Sequence, residues 1–342
     1  MKKSNDVPDK FLSLSKKDQE SIIILGSQKL GRDPNVLEKD LWVCWVLEHL
    51  FNMPNRLPMA FKGGTSLSKV FNVINRFSED VDVTLDYRGF GKEFDLFCEG
   101  ISKSRVRKIS DELKELVSEH SHRVVGPYFN NLLNDLFGKN NIQLDISEDG
   151  EKLRIYYPSI LEGIKDDYLS NSVLIEFGGR NITEPNQEQV VRPYLADVLQ
   201  ELEFPSANVI VLSPMRTFWE KVTLIHVECH RREYKANANR LSRHWYDLAL
   251  LSKNEICDSA LGDIDLLLDV VRYKKLFYAS ANSNYDACLQ GEFRLIPNEQ
   301  FLEELRLDFE GMLNSGMFYG LPPTFEDTMT CVEVLEKRLN RK

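Results

Sequence analysis

The residues of this chain that are best suited to chemistry begin with two glycines and two hydroxyl side chains. Gly63 and Gly64 follow a short apolar segment around Phe61, and Thr65 and Ser66 open a segment with apolar periodicity. Two glycines let the backbone approach a ligand closely, and the hydroxyl and free N–H groups at a helix start can receive phosphates. This part of the sequence is therefore a candidate site for a nucleoside triphosphate.

Two carboxylates follow in the same stretch. Asp80 and Asp82 are two residues apart in an alternating segment, so on a strand both project from one face, where they could share a divalent metal ion. Val81, Val83 and Leu85 would then face the core. A glycine turn or an acidic strand end is ordinary structural chemistry when it occurs alone. The two together, one helix length apart, favour a nucleotide site in the order strand, turn, helix, strand.

Composition and charge limit the class of protein. Of the 342 residues, 42% are hydrophobic and 28% charged, which is an ordinary globular composition. No apolar run is long enough to span a bilayer, and no secretory signal opens the sequence, so we expect a cytoplasmic protein without a membrane partner. The six scattered cysteines support neither a disulfide framework nor a cysteine zinc site. A net charge of −10 limits any contact with nucleic acid to a local basic groove.

Periodicity predicts an α/β fold with the central stretch in the middle of a mixed sheet. Helical spacing covers residues 16–51 and 93–120, and alternation predicts strands at 142–147, 152–158, 172–179 and 207–213. Asp149-Gly150 is a hairpin signal between the first two of these strands. From Ser213-Pro214, a helix cap and first helical residue, the chain is almost wholly helical. The expected division is a helical segment (1–56), a sheet core (57–213) and a helical domain (214–342).

Charged residues within the apolar C-terminal helices are further candidates. Arg216 and Glu220 are four apart on the first helix, and Arg243 and Asp247 are four apart on the next. Either pair could be a surface ion pair of small energy. Lys221 and Asp247, however, have mainly apolar neighbours, and charges on such helices tend to belong to a site.

Two other features leave alternatives open. Glu176 lies in the apolar segment VLIEF, where a charge is costly unless it is paired. It could be a third metal ligand, or a partner for Arg180 or another cation. Two basic clusters could be solvated faces or RNA contacts: Lys103, Arg105, Arg107 and Lys108, and Arg231, Arg232, Lys235 and Arg240.

Six phrases of the sequence, in order, resemble the AbiEii/AbiGii nucleotidyltransferase toxin family, which includes MenT-like type IV toxins of toxin–antitoxin and phage-defence systems. The phrases are EKDLWVCWVLEHLF, FKGGTSLSKVFNVINRFSEDVD, VLIEFGGR, RTFWEKVTLIH, RHWYDLALL and YKKLFYAS. The resemblance runs from about Glu38 to about Ser280. It implies a bilobed protein with a nucleotidyltransferase-like mixed sheet, a helical domain, an active site in the cleft between them, and a cognate antitoxin.

The resemblance also assigns roles to the candidate residues. The implied catalytic residues are Asp80, Asp82, Lys221 and Asp247, and the implied ligands of Mg²⁺ or Mn²⁺ are Asp80, Asp82 and Glu176. The candidate nucleotide-binding residues are Gly63, Gly64, Thr65, Ser66, Lys69, Ser78, Arg216, Glu220 and Arg243. Glu176 departs from the family pattern, because Ile175 precedes it and the lysine that often precedes this pair is absent.

The implied reaction moves a nucleoside monophosphate from an NTP to an RNA acceptor, expected to be the tRNA 3′ end, with release of pyrophosphate. Metal at Asp80 and Asp82 would bridge the triphosphate, Lys221 would neutralise the leaving pyrophosphate, and Asp247 would position or deprotonate the attacking hydroxyl. A kinase-like phosphotransferase or a metal-dependent nuclease could use the same carboxylates, and a decayed transferase would bind nucleotide without turnover. The transferase mechanism requires Lys221 and Asp247 to fold back towards the two aspartates.

Overall fold

The computed structural model describes residues 10–98, 100–138, 143–161, 170–231 and 240–341, and these residues contain a seven-stranded mixed sheet. The strands are β1 (Met59–Lys62), β2 (Val81–Asp86), β3 (Leu144–Ile146), β4 (Lys152–Tyr156), β5 (Ser172–Asn181), β6 (Asn186–Val191) and β7 (Ala207–Leu212). Their order is β3-β4-β5-β2-β1-β7-β6, with β2 antiparallel to β1 and parallel to β5. The predicted α/β class is confirmed, and the strand that carries Asp82 is the middle one.

Helices precede the sheet, lie between its strands and follow it. They are α1 (Lys16–Leu30), α2 (Pro34–Asn52), α3 (Gly63–Lys69), α4 (Lys103–His120), α5 (Gly126–Phe137), α6 (Leu195–Val198), α7 (Pro214–Cys229), α8 (Ser242–Leu251), α9 (Glu255–Gly262), α10 (Ile264–Phe277), α11 (Tyr285–Leu289), α12 (Glu299–Asn314) and α13 (Phe325–Leu339). The predicted start of α7 is confirmed, since the Ser213 side chain accepts from the Met215 N–H at 3.3 Å. Within the described residues, no helix combines the length and the apolar character that crossing a membrane would require.

Two elements differ from the sequence prediction. The helix expected from residue 93 begins only at Lys103, because Gly100 has a φ of +76° and the apolar segment before it packs Leu96 into a cluster with Tyr87. Strand β6 was not predicted, since its polar sequence NQEQVV lacks clear alternation. It is an edge strand with mostly exposed side chains that pairs only with β7. Of the strand predicted at 142–147, residue 142 lies outside the described residues.

Two large hydrophobic clusters, one at the sheet and one in the C-terminal helices, make up most of the core. One cluster packs α2, through Trp42 and Trp45, with the apolar side chains of the strands. The other is built around Trp219 and Trp245, and it also takes in Leu67 of α3 together with residues of the segment after it. Helix α3 therefore packs simultaneously with the sheet and with the C-terminal helices. The division into 1–56, 57–213 and 214–342 stays a prediction.

A buried ion pair fixes the far end of α3. The Lys69 ammonium donates to the Asp40 carboxylate of α2, and these side chains are only 2% and 1% exposed. The ammonium also lies 3.8 Å from the centroid of the Tyr194 ring, and the Tyr194 N–H donates to Asp40 at 2.7 Å. Lys69 was a candidate nucleotide-binding residue, and the structure places it in this buried cluster.

Replacing Lys69 tests how much its ion pair with Asp40 contributes to the stability of the fold. We expect Lys69→Met to lower the free energy of unfolding by about 3–5 kcal/mol, because Asp40 would keep a buried charge without its partner. Urea denaturation followed by circular dichroism measures this change. Lys337→Met is the control, since Lys337 is 63% exposed in its pair with Glu333 and should cost less than about 1 kcal/mol. Equal losses in the two variants would contradict the role given to Lys69.

Candidate active site

Side chains pack directly against both glycines at the junction of β1 and α3, called the glycine turn below. Gly63 has a φ of +78°, and a Cβ at this position would lie 2.0 Å from the Asp82 Oδ2 atom. A Cβ on Gly64 would lie 2.7 Å from the Arg76 Nη2 atom and 2.8 Å from the Ser78 Oγ atom. Only glycine therefore fits at these positions. The turn and the Asp82 carboxylate are in contact, as a shared site requires.

The two hydroxyls after the glycines hold the backbone of the turn. The Thr65 hydroxyl donates to the Asp80 carbonyl at 2.5 Å, and the Ser66 hydroxyl donates to the Gly63 carbonyl at 2.9 Å. Both residues are fully buried. The Thr65 hydrogen bond joins the start of α3 to Asp80, the residue before β2, so it fixes the position of the Asp80 backbone relative to the glycine turn. A contact between these hydroxyls and phosphate remains a prediction.

A row of four charges crosses the sheet beside the turn. In the strand register Lys62 of β1 faces Asp82 of β2, Asp82 faces Glu176 of β5, and Glu176 faces Lys152 of β4. The Lys152 ammonium lies 3.2 Å from Glu176, whose side chain is 35% exposed. Arg180 instead pairs with Glu151, which precedes β4, at 3.2 Å. The cation that pairs with Glu176 is thus Lys152, and Glu176 lies on the open face of the sheet rather than in the core.

Burial and neighbouring carboxylates raise the pKa of both Asp80 and Asp82. Burial raises the pKa of Asp82 to about 6, Glu176 and Asp80 add to the rise, and Lys62 opposes it. Burial also raises the pKa of Asp80, which Arg243 opposes. Ionising these two buried aspartates is therefore unfavourable with the cations present, and a divalent cation would stabilise their charged forms.

The residues fit a metal site with two protein ligands. Among the described residues no group of three or more histidine, cysteine, aspartate or glutamate side chains converges as a preformed metal cluster. Mg²⁺ is commonly held by one or two carboxylates together with substrate phosphates. Asp80 and Asp82 suit that arrangement, with Glu176 beside Asp82 in the strand register.

The helical half of the site is centred on Asp247. Its two oxygens accept from the Nε and Nη2 atoms of Arg76, each at 2.8 Å, and Oδ2 also accepts from Lys221 at 2.9 Å. The Asp247 side chain is 0% exposed. Burial opposes its ionisation, but Arg76 and Lys221 outweigh burial and hold the pKa of Asp247 well below its usual range. Asp247 is therefore a permanently ionised anchor for two cations.

Helices α7 and α8 reach the sheet through further polar contacts. The Arg243 guanidinium of α8 lies 3.5 Å from the Asp80 carboxylate. Glu220 of α7 lies 3.7 Å from the Lys62 ammonium and accepts from the Asn181 amide at 2.9 Å. Arg216 donates to the Asn181 side-chain oxygen at 3.0 Å, and also to Asp269 of α10. The structure thus brings the charged residues of the C-terminal helices over the face that carries the two aspartates.

Sequence reasoning missed three residues of this region. Lys62 precedes the glycine pair, Arg76 lies in the segment before Asp80, and the His244 Nδ1 atom lies 3.4 Å from the Lys221 ammonium. Lys62 had a local signal, since it alternates with buried Phe61 and so faces the same side as Asp82. Arg76 and His244 had none, because their partners are distant in sequence.

Gly63→Ala tests the contact between the turn and Asp82. We expect the variant to lose Mn²⁺ binding, measured by isothermal titration calorimetry, because the added Cβ must displace the Asp82 carboxylate. Gly31→Ala is the control: it has a φ of +63°, with no described atom within 4 Å of an added Cβ. It should pay a similar backbone cost of about 1–2 kcal/mol and bind Mn²⁺ normally. Unchanged Mn²⁺ binding in Gly63→Ala would contradict the proposed geometry.

Comparison with known proteins identifies the family of this chain. A family model described as the nucleotidyl transferase AbiEii toxin of type IV toxin–antitoxin systems matches residues 45–331. Among solved structures the chain is similar to MenT4, a nucleotidyltransferase toxin from Mycobacterium tuberculosis H37Rv, at 16% identity and a TM-score of 0.42, over 96% of this chain and 97% of that one. No curated protein matches the chain significantly. Because the family model covers most of the sequence, the chain belongs to the AbiEii family of nucleotidyltransferase toxins.

Proposed function

We propose that this nucleotidyltransferase moves a nucleoside monophosphate from an NTP to the 3′ hydroxyl of an RNA, with tRNA as the expected acceptor. One observation carries the proposal: Asp80 and Asp82 lie at the glycine turn, and α8 reaches Asp80 through Arg243. The RNA oxygen forms a bond to the α-phosphorus while the bond to the β-phosphate oxygen breaks. Pyrophosphate leaves, and the hydroxyl proton passes to water. Family membership supports a cognate antitoxin as a partner.

Asp80 and Asp82 would hold Mg²⁺ or Mn²⁺ in this reaction. The ion supplies stabilisation of negative charge on the triphosphate and on the leaving pyrophosphate. The two aspartates orient the triphosphate against the Gly63 turn, which offers backbone without side chains. Glu176 is the third candidate ligand, and it would have to give up its contact with Lys152 to serve.

Lys221 is the residue we assign to the leaving group. Its side chain is 8% exposed and is held by Asp247, so the ammonium is fixed before substrate binds. Arg76 occupies both oxygens of Asp247, and the low pKa of Asp247 makes it a poor base. Of the two roles expected for Asp247, we therefore propose positioning, which it exerts on Lys221, and not deprotonation of the RNA hydroxyl.

Labelled nucleotides test the reaction and the role of Asp82 together. With α-labelled NTP, Mn²⁺ or Mg²⁺ and total tRNA, we expect label on RNA, and we expect Asp82→Asn to reduce it by more than about 100-fold. Asp145→Asn, an exposed strand aspartate, is the control and should label RNA normally.

Each competing reaction gives a distinct outcome in this assay. Label on RNA from γ-labelled NTP, but not from α-labelled NTP, would indicate a kinase-like phosphotransferase. Shortening of RNA without NTP would indicate a nuclease, and nucleotide binding without turnover would indicate a decayed transferase. Full labelling by Asp82→Asn would remove Asp82 from the mechanism.

Arg76→Lys tests positioning through Asp247. Lysine keeps the charge but cannot form the bidentate pair, so we expect kcat to fall by about 10-fold or more. Arg76 is buried and acts through Asp247, so the KM for NTP should stay within about 2-fold. Steady-state kinetics measures both, with Arg88→Lys, a 50% exposed arginine, as the control. A raised KM with unchanged kcat would instead show that Arg76 binds the nucleotide.

A further inference from the structure

A basic groove lies beside the site, between α4, the end of β5 and the end of α10. Its volume is about 770 Å³. Five cations line it, against the single carboxylate of Asp111: Lys103, Arg107, Lys114, Arg180 and Lys275. In a chain with a net charge of −10, such a local excess of positive charge indicates a site for a polyanion.

Two cations of the groove, Arg107 and Lys275, are exposed and weakly held by their present partners. The Arg107 side chain is 87% exposed, and its nearest carboxylate, that of Asp111, is 4.0 Å away. Lys275 is 46% exposed in a pair with Asp286, which is itself 66% exposed. Exposed ion pairs of this kind contribute little to the free energy of unfolding. A cation of the groove can therefore leave its carboxylate partner for a phosphate of a ligand with almost no loss of stability.

Tyr278 adjoins the groove, since it lies between the lining residues Phe277 and Ala279. The Arg180 guanidinium, on the same strand as Glu176, lies over the Tyr278 ring, 4.9 Å from its centroid, and the Lys274 ammonium lies 5.4 Å from it. Tyr278 is 42% exposed, so part of the residue is open to a stacked base. An aromatic residue thus lies at the wall of the groove.

The sheet leaves open backbone between the two regions. Glu176, Gly178 and Arg180 alternate along β5, so they share one face. A Cβ on Gly178 would have only the Val83 carbonyl oxygen within 4 Å among the described atoms, at 3.9 Å. No side chain of β5 therefore stands between Glu176 at the active face and Arg180 in the groove.

We propose that this groove binds the single-stranded 3′ segment of the acceptor nucleic acid, with one base stacked on Tyr278 and the backbone phosphates on Arg107, Lys114 and Lys275. Basic grooves with an aromatic platform bind single strands through these two contacts, with little dependence on sequence. The direction of the strand rests on the proposed function, which places the 3′ hydroxyl towards Asp82. The groove also gives a task to Tyr278 and Lys275 of the phrase YKKLFYAS, which the catalytic mechanism does not use.

Equilibrium binding tests the groove without any transfer reaction. The probe is a single-stranded RNA of about 12 nucleotides with a 5′ fluorophore, followed by fluorescence anisotropy without NTP. We expect Tyr278→Ala to raise the Kd roughly 5- to 150-fold, whereas Tyr278→Phe keeps the ring and should stay within about 3-fold. Removing two phosphate contacts in Arg107→Ala/Lys275→Ala should also lower the slope of log Kd against log salt by about 1.4.

Lys16→Ala/Lys17→Ala is the matched control, because it removes two exposed lysines of α1 outside the groove. Thermal melting confirms that each variant is folded. The proposal is wrong if Tyr278→Ala and the groove variant bind RNA as tightly as this control does. Tighter binding of an acidic peptide than of RNA, unaffected by Tyr278→Ala, would also overturn it and make the groove a protein site.

Labelling kinetics separate this proposal from the proposed function. If the groove variants lose RNA binding while the wild-type chain transfers no nucleotide, the groove stands and the reaction assignment fails. If RNA is labelled and the groove variants keep the wild-type KM for RNA, the reaction stands and the groove assignment fails.

Discussion

The bidentate ion pair between Arg76 and Asp247 is the contact on which the rest of the candidate site depends. It joins the segment that leads into β2 with helix α8, 171 residues later in the sequence. Because Asp247 also holds Lys221, one carboxylate fixes two cations and sets the position of the helices over the sheet. Breaking such a buried pair leaves an uncompensated charge, so this alignment is strongly favoured once the chain has folded.

A second set of ion pairs holds the approach to Asp80. Glu79, the preceding residue, is buried and pairs with Lys39 of α2 and, at 2.6 Å, with Arg240 just before α8. The backbone at Asp80 is therefore held from the N-terminal helices and from the C-terminal helices at once. The carboxylate of Asp80 itself, 17% exposed, faces Arg243 at 3.5 Å. Structural acids are paired tightly in this region, whereas the two candidate metal ligands are not, which is how a binding site differs from a salt-bridge network.

The sequence predicted those parts of the fold and site whose signals are local. The glycine turn, the alternation that places Asp82 in a strand, and the Ser213 cap each depend on a few neighbouring residues, and the structure has all three. The pairing of Arg76 with Asp247 had no such signal, since an arginine in a loop predicts no particular partner. Glu176 was expected to need a partner because VLIEF is apolar, and alternation along β5 turns it towards the open face, where Lys152 pairs with it.

The helix expected from residue 93 also shows that local sequence patterns cannot predict the effect of tertiary packing. Polar periodicity can continue through a segment that tertiary packing bends away, and here a glycine with positive φ and a buried leucine end the pattern before α4 begins. Strand β6 was missed for the opposite reason. An edge strand exposed to solvent needs no apolar residues, so its sequence carries little sign of the pairing that the neighbouring strand provides.

Helix α3 contacts strands β1 and β2, while its Leu67 belongs to the hydrophobic cluster of the C-terminal helices, and this limits how far the two halves can separate. Separating the sheet from the C-terminal helices would pull Leu67 out of the helical cluster and expose apolar surface to water. The two halves are therefore bound to each other through α3, and a wide hinge opening between them would be costly. Under the proposed function, nucleotide and RNA would have to reach the aspartates without such an opening. Selection of substrates would then depend on the shape and charge of the face that carries Asp80 and Asp82 rather than on closure around a bound ligand.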